Sequence, residues 1–268
     1  MKLLSLLLVP FVLAAASVDG LKIHYTSTGP AAQTVFLIHG YTCDEASWSE
    51  QAPIAKQYRV VTIDLPGHGK SDGPKVEQFS MELFARAIEA VRTEIGVNRV
   101  VLVGHSMGTP VVLKYAHAYP EHTIALVFVD GLMPASNPSE ASAYQQAQAM
   151  GGPNGLKSRE AMIGGFFNTA STPAIQAKVK NMMLSASEAT AVGAMKASRE
   201  PAGQTVENPN VPILGVYAGR PVASREAVQS RFPQTEYVQI PGTGHFLMME
   251  EPTKFNQLLL GFLAKQKF

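Results

Sequence analysis

The sequence predicts an α/β protein: a doubly wound, mostly parallel sheet with an inserted helical cap. Two patterns point to the sheet. Short β-branched runs are apolar throughout, not alternating, as in strands buried on both faces, and helix-period segments separate them. A third pattern points to the cap: residues 131–210 join two such runs, far beyond the roughly 2–6 residues usual between a strand and a helix.

The elements follow in chain order. "MKLLSLLLVPFVLAAAS" opens with one lysine, an apolar run and small alanines, so residues 1–16 read as a signal peptide, too short to span a membrane. A secreted or periplasmic protein is therefore expected, with no stable membrane anchor after cleavage. "AASVDGLKIHY" also reads as a β-hairpin turning at Asp19 and Gly20. Cleavage near Ala16 would trim its first strand, and cleavage after Ala14 would keep more of it. Strands are expected at 21–27, 34–40, 59–67, 99–106, 123–131, 211–219 and 235–242. Helices are expected at 47–55, 81–95 and 107–118, in a short stretch from Ser224, and in the C-terminal "PTKFNQLLLGFLAKQ". The core therefore comprises 17–130 and 211–268. The insertion, rich in Ala, Ser, Gln and Met, reads as a helical cap over 131–210.

Composition narrows the partner. The 268 residues carry 22 basic and 21 acidic side chains, which gives no long-range field to draw in nucleic acid or anionic lipid. A small, largely uncharged molecule fits better. The single cysteine, Cys43, can form no internal disulfide, and the seven histidines lack zinc-site spacing, so no metal or other cofactor is implied.

"GHSMG" (104–108) carries the chemistry. The pentapeptide is weak alone, but here it directly follows a buried-strand run and precedes a helix. A sharp turn there lifts the Ser106 hydroxyl above the sheet, and glycines two residues to either side avoid crowding. The N–H of Met107, at the start of the helix, can point at a developing oxyanion. In this arrangement the sequence resembles the α/β-hydrolase family, from about residue 18 to the C-terminus. "FLIHGYT" (36–42) is similar to the family's oxyanion loop, which implies the Tyr41 N–H as second donor. "DLPGHGKSD" (64–72) resembles the loop after the fourth strand, and "PGTGHFLMMEEP" (241–252) the loop of the catalytic histidine, which implies His245 as general base.

A serine hydroxyl needs such a base, and the imidazole in turn needs a carboxylate to fix its tautomer. In most of the family the acid follows the strand after the cap. Here that segment is "VYAGRPVASRE", and Val222 stands at the expected position. Three possibilities remain: no acid at all, Glu226 in the next helix, or Asp130 at the end of the preceding strand. Certain haloalkane dehalogenases resemble the last arrangement, and Asp130 is the preferred reading. His105 reads as satisfying nearby backbone, and His39 as orienting its loop. Asp64, His68 and Asp72 read as fixing a turn, and Cys43 and Trp48 as half-buried packing. Met133, Phe166 and Phe167 are candidate substrate contacts, since flexible apolar side chains suit an acyl group.

The leading expectation is a serine carboxylic-ester hydrolase acting on small or medium acyl esters, or on lactones. A carbon–carbon bond hydrolase or a perhydrolase would use the same triad, and a non-catalytic ligand-binding relative would explain Val222. Dehalogenases and epoxide hydrolases are disfavoured because the elbow residue is Ser106, not Asp.

Overall fold

The apolar runs become one eight-stranded sheet in the computed structural model, which describes residues 15–30, 32–131, 140–199 and 207–268. The spatial order is β1 (Ala15–Val18), β2 (Leu21–Thr28), β4 (Arg59–Ile63), β3 (Thr34–Ile38), β5 (Val100–His105), β6 (Thr123–Val129), β7 (Ile213–Tyr217) and β8 (Thr235–Gln239). β1, β2 and β4 pair antiparallel, and every pairing from β4 across to β8 is parallel. Asp19 and Gly20 close the first hairpin with φ of 51° and 80°, the positive values that a two-residue turn requires. Every residue of β3, β5, β6 and β7 is buried, as the unbroken apolar runs demand.

Chain order reverses at β3. From there the chain steps outward to β4 and then returns to the other side for β5. The loops leaving β3 and β5 therefore diverge above their carboxyl ends, the topological switch point at which open α/β sheets bind ligands.

Helices cover the sheet. α1 (Met81–Glu94) is capped by Ser80, which accepts from the Leu83 N–H at 3.0 Å, and it buries Leu83, Phe84, Ala87, Ile88 and Val91 at helical spacing. α2 (Gly108–Ala118) is buried along most of its length, and α9 (Pro252–Leu263) buries Phe255, Leu259, Phe262 and Leu263. The helix expected at 47–55 is instead a run of 3-10 turns, Glu45–Lys56, with Pro53 inside it unable to donate the bond an α-helix would need. Several strands stop short of their expected ends. β4 ends at Ile63 and β6 at Val129, where Pro66 and the positive φ of Asp130 lie beyond the ladder.

Between β6 and β7 lie α3 (Glu140–Gln148), α4 (Gly155–Gly164), α5 (Pro173–Ser185) and α6 (Glu188–Arg199). α6 sits directly on the core. Thr190 Oγ1 donates to the Gly67 carbonyl at 2.6 Å, and a Cβ at Gly193 would fall 2.2 Å from the Phe79 ring. Two short helices remain, α7 (Arg225–Arg231) and α8 (Leu247–Glu250). Among the described residues no helix is long and apolar enough to cross a membrane.

Candidate active site

Ser106 sits between β5 and α2 with φ of 52°, a left-handed conformation that a serine adopts only under constraint. The constraint is the close packing of strand on helix. A Cβ at Gly104 would lie 2.4 Å from the Gly108 carbonyl oxygen, and one at Gly108 would lie 2.5 Å from that of Ile38. Both glycines are thus required by backbone approaching backbone.

Three loops meet over this serine. The loop after β3 brings Gly40 and Tyr41, and His39 braces it: Nδ1 donates to the Gly40 carbonyl at 2.8 Å while Nε2 accepts from the Leu65 N–H at 3.0 Å. Burial lowers the His39 pKa to about 4, so the ring serves as a neutral strut. The Tyr41 hydroxyl donates to the Ala191 carbonyl at 2.9 Å and ties the same loop to α6. Among the described residues the backbone N–H groups of Tyr41 and Met107 have no backbone acceptor.

The loop after β8 brings His245. Its Nδ1 lies 2.7 Å from Asp130 Oδ2, and both residues are buried. Asp130 itself stands just past β6 with φ of 38°. Its other oxygen, Oδ1, accepts from the Ala218 N–H at 3.2 Å and the Val222 N–H at 3.4 Å. Val222 therefore supplies a backbone donor to the carboxylate instead of a carboxylate of its own. Glu226 is exposed in the first turn of α7 and makes no bond to His245.

The cap closes the site. Phe166, between α4 and α5, stacks on the His245 ring with centroids 4.5 Å apart, and its carbonyl accepts from the His245 N–H at 3.3 Å. Asn168 Nδ2 adds a bond to the Gly242 carbonyl at 2.8 Å. Gly40, Tyr41, Cys43, His105, Ser106, Phe166, Met183, His245 and Phe246 enclose a cavity of about 10 Å3, the room one water occupies. Ser106 Oγ has no hydrogen bond among the described residues, so serine and histidine share the cavity without being bonded to each other.

Other expectations divide. Phe167 does not line the cavity: its ring lies under the Lys180 ammonium at 5.8 Å. Met133 lies outside the described residues. Cys43 and Trp48 are each 2% exposed, fully buried and not half-buried. Burial drives the Cys43 thiol pKa far up, so it lines the cavity as an apolar group. Met183 and Phe246 also line it; Met183 is one of the cap methionines that the sequence offers as flexible apolar lining, while Phe246 carried no signal beyond its place beside His245. Asp64 accepts from the Glu45 N–H at 2.7 Å and the Lys70 N–H at 2.9 Å, and Asp72 from the Lys22 N–H at 2.9 Å, which are turn-fixing bonds. His24, Glu45 and Asp64 offer metal-type ligand atoms within 4.8 Å of one another, but the Lys70 ammonium stands among them, 2.9 Å from Glu45 Oε1.

Comparison with known proteins agrees with this architecture. The chain is 29% identical over 261 residues to the dihydrolipoyllysine-residue acetyltransferase component of the acetoin cleaving system of Cupriavidus necator, covering 91% of this chain and 67% of that one. It is 26% identical over 265 residues to a 2-hydroxy-6-oxononadienedioate/2-hydroxy-6-oxononatrienedioate hydrolase of Paraburkholderia phymatum, covering 91% and 92%. A thermophilic esterase from Thermogutta terrifontis superposes with a TM-score of 0.82 at 24% identity, over 94% of this chain and 98% of the esterase. Residues 33–194 match the model of the α/β hydrolase fold, and the chain belongs to that family.

Proposed function

We propose that this protein is a serine hydrolase that cleaves carboxylic esters of small or medium acyl chains, or lactones, through an acyl-enzyme intermediate. The carrying observation is the buried contact of 2.7 Å between His245 Nδ1 and Asp130 Oδ2, beneath a cavity that His245 shares with Ser106. In this reading Ser106 Oγ attacks the ester carbonyl while His245 Nε2 takes its proton, and Asp130 holds the imidazole in the Nδ1–H tautomer. The Tyr41 and Met107 N–H groups receive the oxyanion. His245 then protonates the departing alkoxide, and water repeats the sequence to release the acid. The serine–histidine hydrogen bond forms as substrate enters, since catalytic bonds are often long or unmade in unliganded enzymes.

Hydrolysis of p-nitrophenyl esters from acetyl to dodecanoyl, with Ser106→Ala as the blank, tests this. A Ser106-dependent rate highest at the short chains is expected, since the cavity is small and walled by Cys43, Phe166, Met183 and Phe246. No Ser106-dependent rate from folded protein, with no labelling of Ser106 by a fluorophosphonate, would sink the reading. A carbon–carbon bond hydrolase using the same residues is the second reading, favoured by the likeness to the Paraburkholderia phymatum hydrolase along 92% of its length. We also infer export, from the apolar run that ends at the small alanines. N-terminal sequencing of the mature protein tests it, and a start at Ala15 would keep the Ala15–His24 pairing of the first hairpin.

A further inference from the structure

We propose that His105 is a positioning residue for the proton transfer: its neutral imidazole holds the His245 main chain and, with Phe166, confines the His245 ring. The proposal rests on the reading of His245 as general base. His105 ends β5, next to Ser106 in sequence, yet its side chain reaches the histidine loop instead of the cavity centre. Nε2 lies 2.9 Å from the His245 carbonyl oxygen. A carbonyl only accepts, so Nε2 carries a proton, and Nδ1, buried with no hydrogen-bond partner among the described residues, keeps the lone pair of the neutral ring.

The surroundings of His105 permit only this state. The ring is completely buried, and burial, with repulsion from His245 next in weight, pushes its pKa well below the ordinary value. Around it stand Trp48, edge-on at 6.3 Å, Phe246 at 5.0 Å and His245 at 4.7 Å between centroids, with the neutral His39 on the neighbouring strand end. A cation here would face the imidazolium that His245 becomes during each turnover. A neutral donor grips the loop without that repulsion. The His245 ring thus has Asp130 at Nδ1, Phe166 stacked at 4.5 Å, and the tilted His105 ring at 4.7 Å. The main chain of His245 is held on both sides of the residue's Cα, its N–H by the Phe166 carbonyl and its carbonyl by His105. Rotation of the imidazole away from the serine would have to break a ring contact or one of these bonds. The Ser106 main chain is held in the same way, its N–H by the Val129 carbonyl at 3.0 Å and its carbonyl by the Thr109 N–H at 3.0 Å, so the serine hydroxyl is the group left to move.

The test compares His105→Phe, which keeps a ring and loses the donor, with His105→Gln, whose amide N–H can still reach the carbonyl. The substrate is p-nitrophenyl acetate, assayed from pH 5 to 9 beside Ser106→Ala and His245→Ala. The phenylalanine variant should lose on the order of 10- to 100-fold in kcat with KM changed less than about threefold, as a misaligned base predicts. Its acid limb of kcat/KM should also shift, which a general loss of folded protein would not produce. His105→Gln should recover kcat to within about threefold of the parent, the conservative rescue expected when the donor and not the ring chemistry matters. Should the phenylalanine variant fail to fold, 15N NMR of the parent decides. His105 must remain in the neutral Nε2–H form across pH 5 to 9, and titration inside that range overturns the proposal. An unchanged kcat and pH profile in His105→Phe also overturns it, while inactive Ser106→Ala and His245→Ala leave the hydrolase reading intact. Activity in His245→Ala would instead remove the reading on which the proposal stands.

Discussion

Ser106 is held where its own backbone is least comfortable. A non-glycine residue at φ of 52° carries strain of about 1–3 kcal/mol. Ser106→Gly should relieve part of it, raising stability by about 1 kcal/mol in urea unfolding while turnover disappears. A destabilised Ser106→Gly would mean that the turn is not strained. Asp130 makes the second prediction at this scale. Asp130→Asn should lower kcat by several orders of magnitude, because members of a proton-transfer unit fail together, and Glu226→Gln should stay within about twofold. Equal losses in both variants would contradict the 2.7 Å contact as the functional one. The sequence already favoured Asp130, because it stands at the carboxyl edge of the strand before the cap, one strand nearer the nucleophile than Val222. It could not show that Val222 contributes a backbone N–H, since a main-chain donor leaves no mark on residue identity.

Among the elements, the strands were the most legible, because burial on both faces leaves an unbroken apolar run such as "VVLVGH". Their ends were less so: the expected strands run on through Asp64–Gly67 and Asp130–Gly131, whereas the ladder stops at Ile63 and Val129. The 3-10 segment was misread because Trp48, Gln51 and Ile54 repeat every third residue, a spacing an α-helix also buries. Its first residue, Glu45, binds three elements together. The carboxylate accepts from Thr26 at 2.7 Å on β2, Thr62 at 3.1 Å on β4 and Lys70 at 2.9 Å in the loop beyond. Burial alone would raise its pKa, but the bonds from Thr26, Lys70 and His24 outweigh that and hold it at about 2. A depressed carboxylate contributes stability above the unfolded value near 4.5 and loses it as pH falls toward 2. Glu45→Gln should therefore lower Tm at pH 6 and lie closer to the parent at pH 3. A constant gap between them would refute the linkage.

Across the whole molecule, the buried histidines set the acid limit. His39 and His68 have pKa values lowered by burial to about 4 and about 3, and that of His105 is also well below 6.5. A folded pKa below the unfolded one leaves stability intact above pH 6.5 and erodes it as pH falls, because only the unfolded chain takes up the protons. Each such histidine steepens the loss by up to about 1.4 kcal/mol per pH unit. Urea midpoints should fall clearly between pH 7 and pH 5, before the Glu45 window opens. His68→Phe should flatten the fall by about one proton, and an unchanged slope would show that His68 already binds a proton in the folded state. This behaviour was not legible in the sequence, where nothing in the residue types tells which of the seven histidines the fold buries; it buries four, His39, His68, His105 and His245.

The bond from the Val222 N–H to Asp130 has a consequence for how the chain can vary. Position 222 reaches Asp130 only through its peptide group, while the residue is 43% exposed. Nearly any amino acid should be admissible there, whatever its size or polarity, and a library of substitutions should return active variants of every class but one. Proline, which has no hydrogen to offer, should be the exception.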